Sequence, residues 1–134
     1  MRIQLEQKIK DKSAQVSVIG LGYVGLPLAV ELSKAGFSVT GIDTDLDRVN
    51  NVKNAIPYIL DVDINDIKNL VEKKTLTATG DFRRLAHSDV IIICVPTPLK
   101  RKYQPNIAYI KQAVKQIKKY LREGQLVILE STTY

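Results

Sequence analysis

The sequence predicts an α/β fold, a doubly wound parallel sheet of about five strands with helices on both faces. Three observations predict it. Short β-branched apolar runs alternate with longer stretches of helical spacing along the 134 residues. Two of the runs, Val90-Ile91-Ile92-Ile93-Cys94-Val95 and Leu126-Val127-Ile128-Leu129, are apolar without alternation. Strands of that kind need cover on both faces, as in a parallel sheet between helix layers. Strand and helix also alternate in order, which implies right-handed β-α-β crossovers.

The elements follow in order. Leu5 and Ile9 suggest a short helix, so residues 1–13 read as a helical extension ahead of a domain at 14–134. Val16–Gly20 is the first strand. Val24, Leu28 and Leu32 recur every four residues and mark a helix that Gly36 stops. Ser38–Ile42 is the second strand. Asp45 to Asn54 and Asp63 to Lys74 read as less regular helices joined by the turn-like Ile56-Pro57-Tyr58. Thr75–Thr79, Asp89–Val95 and Gln125–Glu130 complete the strands. Before the last of them, Ile107, Ile110, Val114, Ile117 and Leu121 form an apolar helical stripe between Pro105, tolerated in a first turn, and Gly124, a stop.

Composition narrows the function. Hydrophobic residues make up 45% of the chain, too many for intrinsic disorder. One Cys rules out a disulfide framework and a Cys-based zinc site, and with one His as well no metal is expected. The longest strongly apolar run, Val90 to Val95, is far short of the roughly 20 residues of a membrane span. The charged N-terminus lacks the apolar stretch of a secretory signal, so a cytoplasmic setting is expected. A net charge of +6 raises nucleic acid as a partner, but no aromatics are interleaved with the basic residues for stacking. Neither nucleic acid nor membrane is expected as a partner.

Doubly wound sheets hold ligands beyond the carboxyl ends of their strands. The loop after the first strand is Gly20-Leu21-Gly22-Tyr23-Val24-Gly25, a G-x-G-x-x-G between an apolar strand and an amphipathic helix. Gly20 suits a tight turn, Gly22 admits a pyrophosphate to the backbone, and Gly25 lets helix and strand pack closely. The helix N-terminus adds unpaired N–H groups and partial positive charge. Asp43 ends the second strand, where a carboxylate accepts from both ribose hydroxyls and repels a 2′-phosphate, favouring NAD over NADP. Arg48 suits the adenine or a phosphate. The plainer alternatives are a structural turn, a capping Asp43 and a solvated Arg48. An S-adenosylmethionine site also places an acid after the second strand, without needing the third glycine.

The run from Val18 to Ala29 (Val18-Ile19-Gly20-Leu21-Gly22-Tyr23-Val24-Gly25-Leu26-Pro27-Leu28-Ala29) goes beyond that fingerprint. It resembles the N-terminal NAD-binding, Rossmann-like domain of the UDP-glucose/GDP-mannose dehydrogenase family. Gly41-Ile42-Asp43, Ile93-Cys94-Val95-Pro96-Thr97-Pro98-Leu99 and Leu129-Glu130-Ser131-Thr132-Thr133-Tyr134 resemble the same family in the same order. Tyr58-Ile59-Leu60-Asp61-Val62 and Glu130 to Tyr134 resemble its branch acting on UDP-N-acetylhexosamines. The resemblance implies oxidation of a sugar C6 alcohol to a carboxylate with two NAD reduced. The intermediate aldehyde would be captured by a cysteine thiolate and released by hydrolysis of a thioester. It also implies that Gly20, Leu21, Gly22, Tyr23, Val24 and Gly25 cradle the pyrophosphate, with Asp43 on the ribose and Arg48 near the adenosine. Cys94, Val95, Pro96, Thr97 and Pro98 would form the loop beneath the cofactor. Ser131 and Thr132 would lie near the nicotinamide, Thr132 positioning the reacting water.

The family pattern continues past the position of Tyr134 into the rest of this domain and a sugar-nucleotide domain, which carry the catalytic cysteine, lysine and asparagine. The chain is thus expected to be an incomplete domain that binds NAD without turnover, the UDP-sugar being a partner of the full-length enzyme only. A stand-alone NAD-binding or regulatory module is the alternative. Leu126 to Leu129, as an exposed edge strand, should promote association into a homo-oligomer. Cys94 reads as a buried, ordinary thiol and His87 as a surface or packing residue at the wrong end of the sheet. Lys100-Arg101-Lys102 reads as a solvated loop. Lys111, Lys115, Lys118 and Arg122 read as snorkelling stems along the last helix.

Overall fold

In a computed structural model of the chain, residues 2–96 and 107–130 are described. The helices are α1 (Arg2–Lys10), α2 (Gly25–Lys34), α3 (Leu46–Lys53), α4 (Ile64–Glu72) and α5 (Ala108–Tyr120). The strands are β1 (Gln15–Ile19), β2 (Ser38–Ile42), β3 (Leu76–Thr79), β4 (Val90–Ile93) and β5 (Leu126–Leu129). They form one sheet in the order β3-β2-β1-β4-β5, with every pair parallel. The chain moves outward from β1 through β2 to β3, then returns to build β4 and β5 on the other side of β1. The connections therefore diverge between β1 and β4, opening a crevice there at the carboxyl ends.

Each central strand sends alternate residues to opposite faces. Val16, Val18, Val39, Leu76, Val90 and Ile92 pack toward α2, α3 and α4, against Leu26, Val30, Val49, Val52 and Ile67. Ile19, Ile42, Ile91 and Ile93 pack on the other face against Leu85, Ala113 and Ile117. Burying each such aliphatic side chain is worth about 1.5–3 kcal/mol, so these two layers hold the sheet rigid beneath its loops. α1 rests on the rim, Leu5 touching the first core and Lys8 paired with Asp89 at 3.2 Å.

The structure alters the expected elements in four places. Gly20 leaves β1 because its φ of +101° breaks the extended conformation, and β4 stops at Ile93, freeing Cys94 to Pro96 as a loop. The β3–β4 crossover is a 3₁₀ helix, Phe82–His87, started by Asp81 accepting from Arg83 N–H. In α5 the buried positions are Ala113 and Ile117, while Val114 and Leu121 face solvent and Leu121 has already left the helix. Ala113 and Ile117 together face the second core, beside Leu85, Ile91 and Ile93.

Arg122 is the fourth change. It is not a snorkelling stem of α5, which ends at Tyr120: its Nε donates to Ala86 O at 2.8 Å and its Nη2 to Ser88 O at 2.9 Å, with Asp89 Oδ1 at 3.4 Å. This clasp ties the turn before β5 to the start of β4. His87 is exposed at that same end, away from the crevice, as expected. β5 pairs only with β4 among the described residues, and Leu126, Val127, Ile128 and Leu129 are each 37–52% exposed. Among the described residues no helix is long and apolar enough to cross a membrane.

Candidate functional site

A cleft of about 320 Å³ opens where the strand order reverses, between the carboxyl ends of β1, β2 and β4. One wall is the glycine loop and the β2–α3 turn, and the other is Cys94-Val95-Pro96 with Phe82, Tyr109 and Gln112.

The three glycines have different reasons to be glycine. Gly20 has a left-handed backbone, and a Cβ there would lie 2.7 Å from Cys94 O. A Cβ on Gly25 would overlap the Gly20 carbonyl oxygen, so this residue is what lets α2 start against β1. Those two are internal requirements of the fold. Gly22 is not: a Cβ there would meet only the Arg48 guanidinium, at 3.5 Å from Nη1. Gly22 instead lines the cleft, leaving its backbone bare to whatever enters.

The other loop residues divide by direction. Leu21 is fully buried, its side chain lying over Gly41, and Val24 packs half-buried on the core. Tyr23 points outward and is 78% exposed, so its side chain takes no part in the cleft wall. Val24 is the N-cap residue of α2 and supplies no side-chain acceptor. α3, α4 and the 3₁₀ helix are each capped by an aspartate, Asp45, Asp63 and Asp81. The start of α2, like that of α5 behind Ile107, is capped by no side chain and presents a positive dipole end, and Gly20 and Gly22 of the loop leading into α2 line the cleft.

Asp43 sits beside it, only 8% exposed. Its Oδ2 accepts from Leu21 N–H at 2.8 Å and its Oδ1 from Asp45 N–H at 2.9 Å. Each carboxylate oxygen has room for a second hydrogen bond, so Asp43 retains acceptor capacity toward the cleft. Arg48 reaches over from α3, with Nη1 3.6 Å from Asp43 Oδ2 and Nε 3.7 Å from Asp45 Oδ2. It balances the buried carboxylate and closes the outer edge above Gly22.

On the opposite wall Cys94 is buried, and burial, with Glu130 adding to it, pushes its thiol up to about 11. It is therefore a neutral packing group near pH 7 and no nucleophile. Val95 is half-buried and Pro96 exposed. Thr97, Pro98, Ser131 and Thr132, together with the Lys100-Arg101-Lys102 loop and Pro105, lie outside the described residues.

Two features of the site had no role in the cleft assigned to them from sequence. Phe82, Tyr109 and Gln112 complete the wall from the side of α5, and only the i, i+3 spacing of Tyr109 and Gln112 hinted at a shared face. Tyr58, from the α3–α4 connection, donates its hydroxyl to Leu21 O at 2.7 Å. Burial pushes that hydroxyl well above the usual tyrosine range, so it stays protonated and a donor.

Comparison with known proteins agrees with this geometry. The model of the UDP-glucose/GDP-mannose dehydrogenase family, NAD binding domain, matches residues 14–134. A UDP-N-acetyl-D-glucosamine 6-dehydrogenase of Pseudomonas aeruginosa is 39% identical over 123 residues, covering 92% of this chain and 28% of its own length. The solved UDP-N-acetyl-D-mannosamine dehydrogenase of Pyrococcus horikoshii superposes with a TM-score of 0.83 at 32% identity, over 88% of this chain and 28% of that one. A GDP-mannose dehydrogenase of Pseudomonas aeruginosa, solved as a ternary complex, gives 0.82 at 30% identity, over 87% and 28%. The chain thus spans less than a third of the length of each of these relatives.

Proposed function

The chain belongs to the UDP-glucose/GDP-mannose dehydrogenase family, as its NAD-binding domain, and on that premise we propose that it is the cofactor-holding part of a nucleotide-sugar 6-dehydrogenase. The reaction would take the C6 alcohol of a UDP-N-acetylhexosamine, or of UDP-glucose, to a carboxylate with two NAD. The N-acetylhexosamine is preferred because relatives named for UDP-N-acetyl-D-glucosamine and UDP-N-acetyl-D-mannosamine match at 39% and 32% identity.

The observation that carries the reading is a bare Gly22 set beside the buried Asp43 carboxylate on one wall of the cleft. NAD bound there supplies the hydride acceptor. The residues fit it: the uncapped start of α2 and the Gly20–Gly25 loop take the pyrophosphate, and Asp43 accepts from the ribose. Arg48 lies against the adenosine once displaced from Asp43. Cys94, Val95 and Pro96 line the opposite wall, and the resemblance to the family gives Thr97 and Pro98 a part in the same cofactor loop. Ser131 and Thr132 lie near the nicotinamide in this reading, with Thr132 holding the reacting water.

No residue of this chain supplies a thiolate for covalent capture, given the raised Cys94, so the chain alone binds NAD and turns over no sugar. It works within a longer, cytoplasmic, self-associating enzyme. Calorimetric titration with NAD, NADP and S-adenosylmethionine, repeated on Asp43→Ala, tests the cofactor. NAD should bind best and lose affinity in the variant; a preference for S-adenosylmethionine would overturn the reading. Joining the chain to its downstream coding sequence and assaying NAD reduction with each UDP-sugar tests the substrate.

A further inference from the structure

We infer that Tyr58 is a positioning residue for the cofactor: by holding the Leu21 carbonyl, it aims the Gly22 N–H at the pyrophosphate. This rests on the NAD reading above and adds a residue that lies in no part of the glycine motif.

The argument begins with the peptide plane. In a trans peptide the C=O of one residue and the N–H of the next point in opposite directions from a rigid unit. The Leu21 carbonyl accepts from Tyr58 Oη at 2.7 Å. The Gly22 N–H therefore points away from Tyr58, and Gly22 lines the cleft. The rest of Leu21 is held as well, its N–H by Asp43 Oδ2 at 2.8 Å and its side chain by burial over Gly41. On the far side the Gly22 carbonyl accepts from Leu26 N–H at 3.1 Å, and the Leu21–Gly22 peptide plane between these anchors turns on the Leu21 ψ and on a Gly22 φ that no Cβ restricts. The Tyr58 hydroxyl is the side-chain group that holds that plane directly, by its carbonyl.

The tyrosine is suited to that task. It sits half-buried against the main core, so its ring is fixed by packing, and only its hydroxyl reaches the loop. An amide donor set before the ligand arrives needs no reordering on binding, and such preorganisation raises affinity.

The test is Tyr58→Phe, which keeps the ring and its packing and deletes the hydroxyl. Binding of NAD, ADP-ribose and adenosine is measured on the unsubstituted chain and the variant, by calorimetry and by ligand-observed NMR. Adenosine engages the ribose carboxylate but carries no phosphate. Loss of one positioning hydrogen bond predicts NAD and ADP-ribose weakened about two- to tenfold, with adenosine unchanged. The Gly22 amide resonance, shifted by NAD in the unsubstituted chain, should shift less in the variant. Equal weakening of adenosine, or no weakening of NAD, would overturn the inference and leave the NAD reading intact. Absence of NAD binding by the unsubstituted chain would overturn both. Should Tyr58→Phe unfold, Tyr58→Leu with the same ligand series decides it, since it is apolar, no larger than the tyrosine and carries no donor.

Discussion

The backbone N–H of Leu21 donates to Asp43 Oδ2 at 2.8 Å, so the glycine loop after β1 and the carboxylate after β2 are one hydrogen-bonded unit. Moving either group moves the other. Asp43→Asn should therefore lose ribose recognition and slacken the loop together. Losing hydrogen bonds to a charged group is worth about 1.5–3 kcal/mol, so NAD affinity should fall about ten- to hundredfold. Titration calorimetry reads this directly, and an unchanged Kd would place the ribose elsewhere.

Two glycine substitutions should separate binding from folding. Gly22→Ala meets only the flexible end of Arg48, so its melting temperature should stay close to that of the parent while NAD binding is lost to the new methyl group. Gly25→Ala sets a methyl group into the Gly20 carbonyl and against Cys94 Cβ, so it should lower stability by about 1–3 kcal/mol or more. Thermal unfolding with and without NAD distinguishes the two.

Asp89 contributes to acid stability. Burial alone would raise its carboxyl, but the Gln15 N–H, Lys8 and Arg122 together hold it below the usual carboxylate range. A depressed folded-state pKa contributes stability above the unfolded value of about 3.8, lost as pH falls through the folded one. Urea unfolding followed from neutral pH downward should show this loss, and Asp89→Asn should flatten it. Arg122→Ala should weaken the same effect without altering NAD binding, since the clasp lies at the opposite end of the sheet.

Cys94 should resist modification. Buried and pushed up to about 11, it should react negligibly with an aromatic disulfide reagent near neutral pH and fully after unfolding. Rapid labelling of the native chain would refute the neutral-thiol assignment.

The exposed strand β5 should drive association of this chain. Val127 and Ile128 are 41% and 37% exposed on a strand whose outer edge is unpaired among the described residues. Sedimentation at rising concentration should show dimers or larger species, and Val127→Lys should return the chain toward monomer. A parent chain that stays monomeric at high concentration would contradict this.

The strands, the glycine loop and Asp43 were legible in the sequence because each follows from local rules. Val90 to Ile93, short and β-branched at every position, reads as a strand covered on both faces, and a G-x-G-x-x-G between strand and helix places its own turn. What tertiary structure decided depends on residues far apart in the chain. Arg122 is a clasp because the carbonyls of Ala86 and Ser88 come within its reach, and α5 turns Ala113 inward because the sheet lies close to it. Tyr58 meets Leu21 across 37 residues of sequence. Periodicity and motif fix where a side chain sits along its own element. Only packing fixes which distant backbone group that side chain will find.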